Sequence, residues 1–438
     1  MSPSVLGSWI VMLAVMAMPA LVLSLQGSAN ICLIFLLLCS SVYLFHRDHR
    51  ALHREDFRQL WPVHWSMASM LLIILFGQIL RGTVVARFMD TPLRLAFFAP
   101  VFWLLLSQST VQLQRVQWGF VAGALLVFAK LTMMMPTAES RIAIVSFTNA
   151  IPFGDVALLL GAWSFLSLGW SKRGQWILNG FRGIGGVAGV ATSILSQSRG
   201  GWIAIPLLAV LILWSVADKV RSLRVRLAVI VMLVITAVTV VTTSPTISTR
   251  IEDAQADIVK FYVKGDENTS VGIRLQLWRG AWVLFKEHPL LGVGRENFSV
   301  ALHELAARKI ISNEAAEFSH THDEVMFNLS TLGIAGLASI LSIYFLPIIF
   351  FVRLIKKYKD QQLRTGAAMG LALCIGFIIF GLTETMFVVS MTTSFYALSL
   401  ATLMAFVVSR RREISDHEMH KVLSAQAAGS STRDTSSR

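Results

Sequence analysis

The chain has 438 residues, of which 55% are hydrophobic and only 14% are charged, and its formal net charge is +13. Its mean hydropathy is +0.65. A soluble domain carries roughly 25% charged residues, so this composition excludes an ordinary soluble protein and indicates a polytopic membrane protein. The positive charge does not indicate nucleic-acid binding, because most Lys and Arg fall in short loops between apolar runs, where they set topology and contact anionic lipid.

Long apolar runs follow one another along most of the chain. A transmembrane helix needs about 20 mostly apolar residues, and these runs do not alternate in polarity as barrel strands would. We therefore predict an all-α integral membrane protein with about twelve transmembrane helices. The predicted runs fall near residues 6–23, 29–45, 63–80, 93–107, 116–135, 152–170, 177–196, 201–217, 225–243, 325–352, 366–385 and 388–409.

Positive charges gather in alternate loops, which the positive-inside rule places in the cytoplasm. These segments are 46–62, 171–176, 218–224, 353–365 and the tail from Arg410. Both termini are then predicted to be cytoplasmic, and the long polar segment 244–324 is predicted to be periplasmic. The resulting organisation is helices 1–9 over 1–243, the periplasmic loop over 244–324, helices 10–12 over 325–409, and a cytoplasmic disordered tail over 410–438.

Several arginines lie on the predicted outer side, against the usual bias. In the short outer loops these are Arg81, Arg87, Arg94, Arg141 and Arg199. Arg199 stands in Ser198-Arg199-Gly200-Gly201-Trp202, where two glycines let the backbone approach a ligand closely and the next helix points its N-terminus at an anion. The alternative is an arginine that reaches to lipid phosphate.

The long loop contains two predicted helices. Apolar residues at helical spacing over 247–261 indicate either an amphipathic surface helix or a plain packing helix. A second helix is predicted from about 271 to 287, with Arg274 at the head of an aromatic stripe formed by Trp278, Trp282 and Phe285. Pro289 to Arg295 then forms a predicted turn.

Two histidines stand at the end of this loop, in His320-Thr321-His322-Asp323. Their spacing does not match the i, i+4 spacing of a helical zinc site, and a structural histidine pair is another possibility. We favour a general base, because histidine accepts protons near neutral pH. Asp323 is a candidate to orient its partner.

Common enzyme motifs are missing: we find no P-loop, no G-x-S-x-G and no D-x-D. The first outer loop, Ser24 to Asn30, contains no acid that could hold a metal for a diphosphate donor. Arginine would have to neutralise such a donor, and guanidinium groups match phosphate oxygens in pairs.

Three stretches together resemble a known family. They are Ser198 to Trp202, Arg274 with the stretch that continues to His288-Pro-Leu-Leu-Gly-Val-Gly294, and His320 to Asp323 followed by Leu329 and Gly333. This pattern resembles the bacterial O-antigen ligase and polymerase superfamily, the ligase branch most closely. The resemblance implies essential roles for Arg199, Arg274 and His322. Many members have Asn at the position of Asp323.

The resemblance further implies transfer of O-antigen polysaccharide from undecaprenyl diphosphate to lipid A–core, with inversion and without metal or cofactor. The enzyme would lie in the Gram-negative inner membrane and contact membrane lipids. Further candidates for substrate binding are Arg295, His320, Arg141, Arg94 and Asp323.

Alternative functions are an O-antigen polymerase and a protein O-oligosaccharyltransferase. A polysaccharide flippase fits less well, because we find no internal repeat and no row of mid-membrane charges. Glu384 is the main intramembrane acid, and it lies near the outer end of its span.

Overall fold

The computed structural model describes residues 3–45, 54–134, 147–172, 174–198, 200–216 and 268–434, and every regular element within these ranges is helical. The all-α prediction is confirmed. Arg141, Arg199, the predicted run 225–243 and the predicted helix at 247–261 lie outside the described residues.

The α-helices are numbered here in chain order. They are α1 (Pro3–Leu21), α2 (Ser28–Phe45), α3 (Arg54–Leu80), α4 (Asp90–Ala96), α5 (Phe98–Leu106), α6 (Thr110–Leu113), α7 (Val116–Met134), α8 (Ala150–Leu166), α9 (Trp176–Leu195), α10 (Ala204–Val216), α11 (Ser270–Glu287), α12 (Phe298–Ala307), α13 (Asn313–Ala316), α14 (Glu324–Lys357), α15 (Gln361–Gly381) and α16 (Ser390–Asp434). Short 3-10 turns cover Ala86–Met89, Ser167–Trp170 and Gly200–Ile203.

Seven helical segments of the described chain are long and apolar enough to cross a membrane. They are Arg58–Leu80, Ala86–Leu106, Thr110–Met134, Ala150–Trp170, Glu324–Lys357, Gln361–Gly381 and Ser390–Lys421. Helices α1, α2, α9 and α10 coincide with further predicted apolar runs but are shorter or less apolar. The chain is a multi-pass membrane protein, and the count of twelve spans stays a prediction.

Three helices form the centre of the bundle. In the most apolar stretch of each helix, the share of residues that are buried is 94% for α16 and 83% for both α15 and α8, against 39% for α14. Small residues let these helices approach closely. A Cβ added at Gly370 would lie 2.2 Å from the ring of Phe351, and one at Gly366 would lie 2.5 Å from the ring of Phe406.

The outer part of the structure is a small helical layer, here called the cap (residues 268–323, with α11, α12 and α13). The cap has its own apolar core, separate from that of the bundle, in which Leu277, Leu284, Phe298 and Leu302 pack with Phe327 at the start of α14. Thr269 begins α11 by accepting a hydrogen bond from the Gly272 N–H at 3.1 Å. The predicted helix over 271–287 is therefore confirmed.

The cap is attached to α14 where that helix is broken. Gly333 has φ 64° and ψ −153° inside α14, so the N–H groups beyond it are free to bind the loop before α12. Ile334 donates to the Pro289 carbonyl at 2.8 Å, and Gly294 donates to the Thr331 carbonyl at 2.9 Å. The predicted turn at 289–295 thus forms the joint between cap and bundle.

The C-terminal helix is longer than predicted. Helix α16 runs through Asp434, so the structure differs from the expectation of a disordered tail after residue 409. Arg, Glu and Ala together make up eight of the residues between 410 and 428, and their high helix propensity allows the helix to continue beyond the apolar part.

Candidate active site

Glu384 stands at the centre of the candidate site, in the turn between α15 and α16, and is only 2% exposed. The Nδ1 atom of His322 lies 3.3 Å from its Oε2 atom, and the Nε2 atom of His320 lies 2.9 Å from its Oε1 atom. The His322 contact has hydrogen-bond geometry, whereas the His320 contact is close without being aligned as a hydrogen bond. One buried carboxylate therefore faces both histidines.

Two further groups bind the same carboxylate. Asn149, just before α8, donates from Nδ2 to Oε2 at 3.2 Å, and the Thr385 N–H donates to Oε1 at 2.9 Å. Burial raises the pKa of Glu384, but the close contacts and charges of His320 and His322 outweigh it and hold that pKa well below its usual range. Glu384 is therefore ionised, and it favours the His322 tautomer that carries its proton on Nδ1.

His322 is held in an unusual backbone conformation. Its φ is 53°, a left-handed value that costs a non-glycine residue energy and that often occurs at functional sites. The Thr321 hydroxyl donates to the Asp323 carbonyl at 2.7 Å across this turn. The rings of Phe318 and His320 pack edge-on against the imidazole. Within the described part of the chain Nε2 of His322 has no hydrogen-bond partner, so this atom is available to a substrate.

Asp323 has a different position from the one expected of an orienting carboxylate. It is the N-cap of α14, where its Oδ1 accepts from the Met326 N–H at 2.7 Å. Burial raises the pKa of Asp323, and the N–H groups of Met326 and Val325 partly oppose this. The carboxylate beside the histidines is that of Glu384, while a role for Asp323 in substrate binding stays a prediction.

Helix α11 carries Arg274 and is tied to the histidine turn. The indole Nε1 of Trp278, one helical turn after Arg274, donates to the Thr321 carbonyl at 3.2 Å. Arg274 is half-buried, and its guanidinium has no hydrogen-bond or ion-pair partner among the described residues. A half-buried arginine without a protein anion is a suitable ligand for a phosphate group.

Arg295 is buried beneath the site, where it is 6% exposed. Its Nη2 donates to Asn328 Oδ1 at 3.0 Å, and Nε has no partner within the described chain. Burial lowers the pKa of Arg295 to about 10, and the nearby charge of Glu324 opposes this, so the side chain remains charged at neutral pH. Glu324 also accepts the Phe387 N–H at 2.9 Å, which joins Arg295 to the turn that holds Glu384.

The remaining predicted arginines are not brought to this cluster by described contacts. Arg94 binds Asp90 in a bidentate ion pair at 2.9 and 3.1 Å and donates to Asn30 Oδ1 at 2.7 Å. Arg141 and Arg199 lie outside the described residues. Roles for these three residues stay predictions.

The two glycines after Arg199 contact the edge of the site. A Cβ added at Gly200 would lie 2.0 Å from Thr383 Oγ1, and one at Gly201 would lie 2.1 Å from Asp155 Oδ1. From the sequence, these glycines were expected to let the backbone approach a ligand closely. The structure shows that protein side chains fill this space, so both glycines allow the chain to pack beside the turn of Glu384.

Sequence reasoning missed the partners of the histidines. Glu384 is 62 residues from His322 and was noted only as an intramembrane acid, and Asn149 was not considered. Asp155 was also missed: it is fully buried, and neither carboxylate oxygen has a partner in the described part of the chain. An ionisable residue within an apolar run is itself a signal of function, and it would have identified Asp155 and Glu384.

The same cluster contains atoms of the kind that bind metals. His320, His322 and Glu384 each offer one ligand atom, and these atoms lie within 4.8 Å of one another. Two imidazoles and a carboxylate are ligands for zinc or iron. The spacing of the two histidines along the chain did not favour a zinc site, but the fold places the carboxylate of Glu384 beside them. The predicted independence from metal is therefore a point for experiment.

The fold and site define a class: a multi-pass helical membrane protein with a histidine–carboxylate cluster under a helical cap. Residues 184–341 match the family model for O-antigen ligase, a range that contains the histidine turn, α11 and the break in α14. The chain is also 26% identical over 277 residues to an uncharacterized protein of Haemophilus influenzae. The aligned region covers 61% of this chain and 67% of that protein.

The match over residues 184–341 confirms the predicted resemblance to the O-antigen ligase family. The match suggests a glycosyltransferase activity of the ligase and polymerase type.

Proposed function

We propose that this protein is an O-antigen ligase that transfers polysaccharide from undecaprenyl diphosphate to lipid A–core on the periplasmic side of the bacterial inner membrane. The observation that carries the proposal is the contact between His322, which lies inside the matched range 184–341, and Glu384. A histidine oriented by an ionised carboxylate through Nδ1, with Nε2 unpaired among the described residues, has the arrangement of a general base.

In the proposed reaction, Nε2 of His322 removes the proton from a hydroxyl of the acceptor sugar. Glu384 holds the Nδ1 proton and stabilises the imidazolium ion that forms, as the aspartate does in a catalytic triad. The acceptor oxygen bonds to the anomeric carbon while the bond from that carbon to the diphosphate breaks on the opposite face. The configuration at the anomeric carbon is thereby inverted.

The leaving diphosphate gains negative charge, and arginines are proposed to stabilise it. Arg274 is suited to this role because its guanidinium is unpaired in the described structure and its helix is bound to the histidine turn through Trp278. Arg199 is the second proposed phosphate ligand, on the family resemblance. Loss of one such contact costs about 2–4 kcal/mol of transition-state stabilisation in a water-excluded site.

The test is a reconstitution of the purified protein with undecaprenyl-diphosphate-linked glycan and lipid A–core. Glycan joined to the core supports the ligase. Longer glycan on the lipid carrier with an unmodified core identifies a polymerase instead, and transfer to a protein acceptor identifies an oligosaccharyltransferase. A parallel reaction with a chelator tests metal independence, because loss of activity that zinc restores would assign His320, His322 and Glu384 as metal ligands.

Two conservative variants test the phosphate role of α11. Arg274→Lys keeps the charge but loses the paired contacts of a guanidinium, and we expect transfer to fall about tenfold, close to the 1.4 kcal/mol of a weakened contact. Arg279→Lys, on an exposed part of the same helix, is the matched control and should transfer at the wild-type rate. Equal rates of glycan transfer for both variants would show that Arg274 has no role in the mechanism.

A further inference from the structure

A groove lies at the far end of α14 from the candidate active site. Its volume is about 540 Å³, within the roughly 300–1,000 Å³ of small-molecule sites. It is bounded by α3, the last turns of α14 and the part of α16 around Arg411. From Gly333 to Lys357 α14 rises about 36 Å at 1.5 Å per residue, so the groove and His322 lie at opposite ends of a membrane-spanning length.

The lining of the groove is divided into an apolar part and a basic end. Leu346, Ile349 and Phe350 of α14 face Leu60 and Val63 of α3 along the apolar part. Arg353, Lys357 and Arg411 stand at the other end. No carboxylate occurs among the described residues that line the groove, and the charged side chains among them are all basic.

Two acids of the described chain near the groove form ion pairs elsewhere. Asp360 and Glu413 bind Arg410, at 2.8 and 2.9 Å, and Arg410 does not line the groove. Arg411 donates to Gln59 Oε1 at 2.9 Å, which places its guanidinium in the groove.

Aromatic residues indicate that this end of α14 lies at a membrane surface. Trp61 and Trp65 of α3 are 51% and 57% exposed, and Tyr358 lines the groove beside Lys357. Tryptophan and tyrosine gather at the level of lipid headgroups. The apolar part then lies at the depth of acyl chains and the basic end at the depth of lipid phosphates.

We propose that this groove binds an anionic phospholipid of the cytoplasmic leaflet, with its phosphate at Arg353, Lys357 and Arg411 and an acyl chain against the apolar residues between α3 and α14. Basic pockets between helices on this side of a membrane bind such headgroups. The site is distinct from the donor and acceptor sites of the proposed transferase, and it does not depend on that function.

The test is native mass spectrometry of the full-length protein in detergent with added phosphatidylglycerol or phosphatidylcholine. We expect phosphatidylglycerol to remain bound preferentially. The double variant Arg353→Gln/Lys357→Gln should weaken that binding about tenfold or more, since each basic residue near a membrane surface contributes about 1 kcal/mol. The control Lys356→Gln/Lys359→Gln removes the same charge from exposed residues outside the groove and should bind normally.

A second pair of variants tests the apolar part. Ile349→Trp fills the groove and should displace phosphatidylglycerol, whereas Leu341→Trp changes an exposed residue of the same helix that does not line it. Competition by inorganic phosphate alone would show that only the headgroup is recognised and would overturn a lipid site. Equal loss in both charge variants would likewise overturn it, because binding would then depend on general surface charge.

Discussion

The bundle and the cap differ in what holds them in place. Helices α8, α15 and α16 are joined by small and apolar side chains, and at Gly370 and Gly366 the packing admits an aromatic ring from a neighbouring helix. The cap has a small core of its own, and it joins the bundle through backbone hydrogen bonds at the break in α14. The candidate site lies where the two meet, with Glu384 from the bundle and His320 and His322 from the cap. We therefore expect the proposed transfer to depend on the joint as well as on the two parts that it connects.

Removal of the proposed base should have the largest effect. We expect His322→Ala to lower the rate of glycan transfer by about 10²–10⁴-fold, the range of general acid–base catalysis. His320→Ala should lower it far less, because the Nδ1 contact of His322 with Glu384 is retained. Transfer by reconstituted protein is the measurement. A near wild-type rate for His322→Ala, or a larger loss for His320→Ala, would refute the assignment of the base.

A neutral replacement at Glu384 tests the contribution of the bundle to the site. Glu384→Gln keeps the shape but no longer selects the tautomer of His322, so transfer should fall about 100-fold. Glu317→Gln is a control, since Glu317 contacts the exposed His303 rather than the site. Unchanged transfer by Glu384→Gln would mean that His322 does not need a carboxylate partner.

The joint between cap and bundle can be broken without touching the site. Gly292 has φ 61°, and an added Cβ would lie 2.2 Å from the carbonyl carbon of Thr331. We expect Gly292→Ala to destabilise the protein by about 1–3 kcal/mol, measured as a lower Tm with a parallel loss of transfer. Gly82→Ala is the control for strain alone, because Gly82 has φ 70° but open space around it. Equal losses in the two variants would show that the close approach to α14 does not matter.

The sequence was sufficient for the apolar helices that the structure describes and for part of the cap. Hydropathy located the apolar helices because burial in a membrane needs long apolar runs, and periodicity located α11. The pairing of His322 with Glu384 could not be predicted, since it depends on the close packing of the α15–α16 turn against the cap. Asp323 is adjacent in sequence and attracted attention for that reason, but its carboxylate caps α14. The break at Gly333 could not be predicted, because it lies within an apolar run and hydropathy contains no information about the backbone angle φ.

The smallest effect should come from a change of pH, which tests whether the ionised carboxylate of Glu384 stabilises the folded protein. The pKa of Glu384 is lowered from its usual 4.5 by the two histidines despite burial. A carboxyl whose pKa is lowered by folding stabilises the protein above its unfolded pKa and loses that contribution as pH falls. The difference in Tm between wild type and Glu384→Gln should therefore be largest above about pH 5 and shrink below about pH 4.5. A wild type that is less stable than Glu384→Gln above about pH 5 would mean that ionised Glu384 destabilises the folded protein.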